Sequence, residues 1–289
     1  GVLRVEGGIP ALGRELTRLA ESCGAQIARG TRVERIVRAG DRVSSVIANG
    51  VEHRARAILF CGDVSGLSEL LPTGETREMR VPLADRSLSA VTFCTVAKPL
   101  GVPLVHHNVF FADDYKAEFD EIFEQHRAPA CPTVYVCAPE RGDAPIEAGE
   151  ERIFALMNAP ATGDDPVAWS EEERRRCKES TIETLARCGV SLDLGSAVMT
   201  TPREFHARYP GTGGSLYGPR PNGIFSAFKR RGARSTIPGL YLAGGSVHPG
   251  PGVPMAALSG RLAAEALMGD LRSTRASHPA ATSGTTSMA

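Results

Sequence analysis

The chemistry-bearing part of this chain lies near its C-terminal end, where Gly244, Gly245, Gly250 and Gly252 crowd nine residues between an apolar run and an alanine-rich stretch. Leu240 to Ala243 has the character of a short buried strand, and four glycines in the following turn exceed what packing alone needs. Pro254 suits a first helical turn, where its missing N–H costs nothing. Ala256, Ala257, Leu258, Leu262, Ala263, Ala266 and Leu267 then continue a helix of small and apolar residues. A strand, a glycine turn and a helix start aim free backbone N–H groups and a positive dipole end at whatever occupies the turn. A flavin ring meets those demands, because its pyrimidine edge carries carbonyls and becomes anionic on reduction. Spacing alone leaves a second reading open, a tight structural turn of the kind found in any α/β protein.

Other candidates are weaker. His248 sits between the strand and the proline-glycine turn, close enough to act as an acid or base, or merely to satisfy loop carbonyls. The adjacent pair His106 and His107 tempts a catalytic role, yet such a pair at a strand start more often serves as hydrogen-bonding scaffold. Inside a strand, neighbouring side chains point to opposite faces, so the pair is not expected to share one ion, and no metal is assigned. The seven cysteines are scattered with no C-x-x-C pair, which favours reduced thiols in a cytosolic setting. Pro210 to Gly218 is glycine-rich but lacks the Gly-Lys-Ser or Gly-Lys-Thr ending of a phosphate-binding loop. No serine-histidine-acid pattern or paired carboxylates compete. Lys plus Arg and Asp plus Glu balance at 33 each, so there is no electrostatic footprint for nucleic acid.

The elements that must position these residues follow from periodicity. Leu12, Leu16, Leu19 and Cys23 step at helical spacing up to Gly24. Strands are expected over Ala25 to Ala28, Val33 to Val37, Val43 to Ile47 and Ala57 to Cys61, with Asn49-Gly50 the strongest hairpin signal. A larger sheet follows, from Leu88 to Val96, Asn108 to Phe111, Thr133 to Cys137 and Ile153 to Met157, with a helix inserted over Asp114 to Gln125. Such a sheet can floor a long apolar pocket. Ser170, with Glu173 three residues on, caps a charged helix that runs to Gly189, and a strand is expected over Ala197 to Thr200. Gly269 is expected to end the last helix, and the Ser/Thr/Ala/Gly-rich residues 271–289 read as a disordered tail. No uninterrupted apolar stretch approaches the ~18 residues of a spanning helix, which leaves peripheral membrane contact open.

The run from Ile237 to Met255 resembles the C-terminal flavin-contacting motif of the bacterial-type phytoene desaturase family, carotenoid desaturases within the wider amine-oxidase-like flavoproteins. Where the wider group carries Gly-Asp or Gly-Glu, this chain has Gly244-Gly245-Ser246. The segments 106–111, 113–119, 132–136 and 157–160 are similar to the substrate domain of that family, closest to the branch acting on hydroxylated or methoxylated acyclic carotenoids.

The resemblance covers about residues 6–268 and implies a mixed α/β, Rossmann-like FAD-binding fold with a sheet-based substrate domain. It divides the chain into 1–80 (FAD domain), 81–215 (substrate domain) and 216–270 (C-terminal FAD segment). It implies FAD contacts at Val33, Gly62, Gly244, Gly245, Gly250, Gly252, Val253 and Pro254, with His248 as the nearest acid/base. From the residues alone, Val33 reads as an ordinary core valine. A desaturase of this type takes a hydride from an allylic carbon onto the flavin and passes a proton to a base or water. Its polyene substrate would be met at a membrane surface from the cytoplasmic side. The family's Gly-x-Gly-x-x-Gly turn does not occur here and the first residue is Gly1, so the chain is expected to be the C-terminal part of a larger flavoprotein.

Overall fold

The computed structural model describes residues 4–71, 79–142, 149–220 and 230–276. Helix α1 spans Ile9–Ser22, opens after Gly8 with Pro10 in its first turn, and closes at Gly24, whose φ of +90° reverses the chain. No residue of α1 is buried, and Ile9, Leu16 and Leu19 of its apolar stripe are exposed. The expected strand over Ala25 to Ala28 is not formed, because no neighbouring segment pairs with these exposed residues.

Strands β1 (Val33–Ala39), β2 (Arg42–Ala48) and β3 (Val51–Arg54) form an antiparallel meander. Asn49 and Gly50, both at positive φ, make its second hairpin, as a primed turn requires. The strand after that hairpin carries no alternation of apolar and polar residues to predict it. Val51-Glu52-His53-Arg54 is exposed at every position, so burial periodicity leaves no mark on it.

Strand β4 (Ile58–Phe60) leads through a short 3-10 turn to α2 (Leu67–Leu70). Its partner is β12 (Leu240–Leu242), about 180 residues away, which lies parallel to it with Ile58 opposite Leu240 and Phe60 opposite Leu242. Leu240 and Leu242, Ile36 and Val43 from the meander, and Leu67 form the core beneath this junction. A parallel pair needs a crossover, and here the whole central region provides it.

That region holds β5 (Ser89–Ala97), β6 (Leu100–Gly101), β7 (His107–Phe110), α3 (Tyr115–Phe123), β8 (Val134–Cys137), β9 (Glu151–Ala159), α4 (Glu171–Arg187), β10 (Val190–Ser191), β11 (Val198–Thr200) and α5 (Pro202–Arg208). Five of the strands make one antiparallel sheet in the order β11-β5-β9-β8-β7. Alternation along the strands buries Val91, Phe93, Val134, Val136, Ala155 and Met157 in a core shared with Cys177 and Leu185 of α4.

The opposite face is half-open. One row across it runs Val198, Cys94, Phe154, Cys137, His107, and the next runs Thr200, Thr92, Leu156, Tyr135, Val109. Helix α4 begins as expected, with the Ser170 hydroxyl accepting from the Glu173 N–H at 3.3 Å.

Helix α6 spans Val253–Ala276 and corrects two expectations. Gly269 lies inside it rather than at its end, and residues 271–276 of the expected tail are helical. Leu271 and Met268 maintain the helical pattern, and one glycine costs only about 1 kcal/mol in a helix that long. Residues 277–289 lie outside the described residues.

Candidate functional site

The two parallel strands finish level, with the Ala243 N–H donating to the Phe60 carbonyl at 2.9 Å, and the glycine turn starts there. Gly244 has φ +118°, and a Cβ on it would sit 3.1 Å from the Cys61 carbonyl oxygen, so only glycine fits both the conformation and the space. Its N–H donates to Ser259 Oγ at 2.8 Å, which ties the turn to a fully buried serine two turns into α6. Ser246 Oγ accepts from the Val64 N–H at 3.0 Å and so joins the turn to the loop after β4. In the Gly244-Gly245-Ser246 triplet this serine therefore serves as a strap between two loops.

Gly250 and Gly252 both occupy the left-handed region, at φ +135° and +109°, but their surroundings differ. A Cβ at Gly250 would lie 3.4 Å from the Arg230 side chain, whereas one at Gly252 meets nothing within 4 Å among the described residues. Gly250 is thus restricted by its backbone conformation, with Arg230 in ordinary contact, and Gly252 opens on free space at the start of α6. Val253 beside it is half exposed at 50%, and Pro254 is exposed in the first turn. First-turn N–H groups have no partner within their own helix, so this end offers donors and a positive dipole to a ligand.

Two cavities flank the junction. One of about 330 Å³ is lined by Val33, Phe60, Gly62, Asp63 and Tyr209 among others. At 38% exposure Val33 is not a core valine; it stands on the wall of this cavity. A Cβ on Gly62 would fall 2.7 Å from the tip of the Phe60 ring, so a larger residue there has to displace that ring. The other cavity, of about 590 Å³, shares Asp63 and adds Ser246, Arg80, Arg220, Arg230 and Arg231, a basic wall suited to an anionic group.

Sequence reasoning passed over Arg230. Its guanidinium donates to the carbonyls of Tyr217 (3.0 Å), Gly245 (3.2 Å) and Pro219 (3.1 Å), and burial lowers its pKa while the Asp63 charge opposes that shift. The basic pair Arg230-Arg231 just upstream of the motif was the available signal.

His248 donates its N–H to the Arg231 carbonyl at 2.9 Å and precedes a cis peptide bond to Pro249. Neither cavity counts His248 or residues 250–254 among its walls. The structure therefore brings Val33 and Gly62 to one cavity and Ser246 to the other, and sets Gly252 to Pro254 at an open helix end beside them.

The loop 210–218 packs against this assembly. A Cβ on Gly213 would lie 1.9 Å from Arg86 Nη1, and that arginine donates to both oxygens of Asp164, at 2.7 and 2.6 Å. The Arg86 hydrogen bond is the main reason that the Asp164 carboxyl is held below its usual range. A depressed folded pKa contributes stability above the unfolded value of about 3.9, and the contribution is lost as pH falls through the folded value. Asp164→Asn is accordingly expected to destabilise by about 1 kcal/mol at pH 7, discounted for its partial exposure. The difference should vanish in strong acid, as urea unfolding at both pH values will show. An equal loss in acid would assign the effect to shape rather than charge.

The histidine pair lies apart, at the β7 edge of the five-stranded sheet. The expectation that His106 and His107 point away from one another holds only inside a strand. His106 precedes β7 in a bend, and its ring centroid lies 4.3 Å from that of His107. Ring nitrogens of both, together with Cys137 Sγ, lie within 4.8 Å of one another. Next to them the Tyr135 phenol is pushed up to about 12, first by burial and then by the hydrogen bond and charge of Cys137.

Residues 1–268 match the family described as flavin-containing amine oxidoreductase. The chain belongs to that family. Among its relatives is a hydroxyneurosporene desaturase of Rubrivivax gelatinosus, 45% identical over 98% of this chain and 55% of the relative. Another is a 1-hydroxycarotenoid 3,4-desaturase of a Flavobacterium species, 30% identical over 92% of this chain and 55% of the relative. The chain thus spans about half the length of the curated relatives it matches. An oxidoreductase from Methanosarcina mazei shares the fold, with TM-score 0.54 at 15% identity, covering 91% of this chain and 55% of that structure. The mixed α/β flavoprotein fold is therefore that of the family.

Proposed function

We propose that the protein is an FAD-dependent carotenoid desaturase, acting at carbons 3 and 4 of an acyclic 1-hydroxy or 1-methoxy carotenoid. The observation that carries this reading is the turn from Gly244 to Pro254, in which Gly252 opens on free space at the head of α6. A planar ring carrying carbonyls along one edge fits there, and the relatives' names supply the substrate class.

FAD, when bound, supplies a two-electron acceptor that takes a hydride from an allylic carbon. The residues of this chain then have separate tasks. The first turn of α6 and the backbone of Gly252 and Val253 stabilise negative charge on the ring edge. Val33 and Gly62 wall the cavity of about 330 Å³ that would take part of the cofactor, with residues 1–80 and 216–270 forming the cofactor-binding part and 81–215 the substrate part. His248 is the nearest side chain to accept the proton that leaves the neighbouring carbon. The half-open sheet face, with Cys94, Phe154, Leu156 and Val109, floors the polyene.

A water-insoluble polyene is reached from a membrane surface, so the enzyme works there as a peripheral protein on the cytoplasmic side. Burying a few apolar side chains at ~0.8 kcal/mol per methylene is enough to hold it reversibly. Among the described residues no helix is long and apolar enough to cross a membrane.

The test incubates the full-length enzyme with liposomes that contain phytoene or a 1-hydroxy carotenoid and follows the polyene spectrum. A red shift with the hydroxylated substrate alone is expected. Conversion of phytoene alone would move the protein to the general phytoene desaturases, and conversion of neither would sink the carotenoid assignment.

A further inference from the structure

We propose that His106, His107 and Cys137 form a binding site for a zinc-class divalent cation at the β7 edge of the substrate sheet. His107 and Cys137 are a directly opposed cross-strand pair, so their side chains leave the sheet on the same face. His106 joins them because the chain bends before β7. Asn108 fixes that bend, its Oδ1 accepting from the Val105 N–H at 2.9 Å and its Nδ2 donating to the carbonyls of Val105 (2.7 Å) and Val136 (3.1 Å).

The donor set has metal-site chemistry. Two imidazoles and a thiolate suit zinc and its borderline neighbours, and they disfavour calcium and magnesium, which take oxygen ligands. Ligand atoms within 4.8 Å of one another are near the roughly 3.3–3.6 Å separations expected when two nitrogens and one sulfur surround a tetrahedral ion.

Both imidazoles also carry the outer partners that metal-bound histidines need. His106 Nδ1 lies 3.1 Å from the Arg141 carbonyl, which can only accept, so Nδ1 holds the proton and Nε2 keeps the lone pair. That carbonyl belongs to a buried arginine held by Glu151 and the Leu104 carbonyl, a rigid support. His107 Nδ1 lies 2.7 Å from the Tyr135 hydroxyl. Three protein ligands leave a fourth position for water or an oxygen donor.

The test is equilibrium dialysis of the reduced, tag-free full-length enzyme against Zn2+, with zinc-edge X-ray absorption on the loaded protein. One zinc per chain is expected, with a sulfur shell near about 2.3 Å and nitrogens near about 2.0 Å. Cys137→Ser should remove the sulfur shell, and His107→Gln, at an exposed position, should weaken binding at least tenfold, on the order seen when a metal site loses support. Cys94→Ser, in the same row of the sheet, should change neither. No stoichiometric zinc, zinc without a sulfur shell, or unaltered binding by His107→Gln would each overturn the site.

Discussion

Gly252→Val is expected to lower flavin occupancy of the full-length enzyme by about tenfold or more, while Gly269→Val leaves it within about twofold. Gly252 sits at φ +109°, a conformation in which a β-branched residue is strained by roughly 1–3 kcal/mol. Among the described residues nothing lies within 4 Å of the added Cβ, so the side chain would fill the volume assigned to the ring rather than disturb the core. Gly269 lies within α6, where an added Cβ also meets nothing within 4 Å, but it has no ligand to make room for. The ratio of flavin to protein absorbance, with thermal unfolding as a control for the scaffold, reads the difference. Equal losses from both substitutions would make the turn purely structural.

The strand, glycine turn and helix that carry this prediction were legible because each is a local device. An apolar run, glycines at positive φ and a proline in a first turn leave their marks within a dozen residues. The cap at Ser170 and the hairpin at Asn49-Gly50 were legible for the same reason. What stayed hidden was built by contacts distant in sequence. The parallel pairing of β4 with β12 links residues about 180 apart, and no periodicity encodes that partner. Arg230 gains its role from three carbonyls, of Tyr217, Pro219 and Gly245, that only the folded chain gathers round it. The proximity of His106, His107 and Cys137 needed both the β7 and β8 register and a bend at His106, and simple strand alternation predicts the reverse. The exposed polar strand β3 and the helical run past Gly269 show the other limit, where composition misleads because burial is slight or the helix is already long.

Arg141→Leu is expected to destabilise the protein by about 3–5 kcal/mol, the usual consequence of stranding one half of a buried ion pair. The Arg141 side chain is 1% exposed and that of Glu151 is 7% exposed. Its Nε lies 2.9 Å from each Glu151 carboxylate oxygen, and Nη1 donates to the Leu104 carbonyl at 2.7 Å. Removing the guanidinium leaves a carboxylate with neither water nor a countercharge, at the start of β9 where the central sheet begins. At about 2–4 °C per kcal/mol the melting temperature should fall by roughly 10 °C. The double substitution Arg141→Leu with Glu151→Leu removes both charges and should recover most of that loss, because two apolar side chains avoid the desolvation cost that the pair has to offset. If the single and double variants melt alike, the charge pair is not what holds this corner, and the loss belongs to the Leu104 carbonyl and the packing around it. Recovery in the double variant would instead locate the stability in charge compensation. It would also separate that compensation from the backbone carbonyl of residue 141, which either variant still presents to His106.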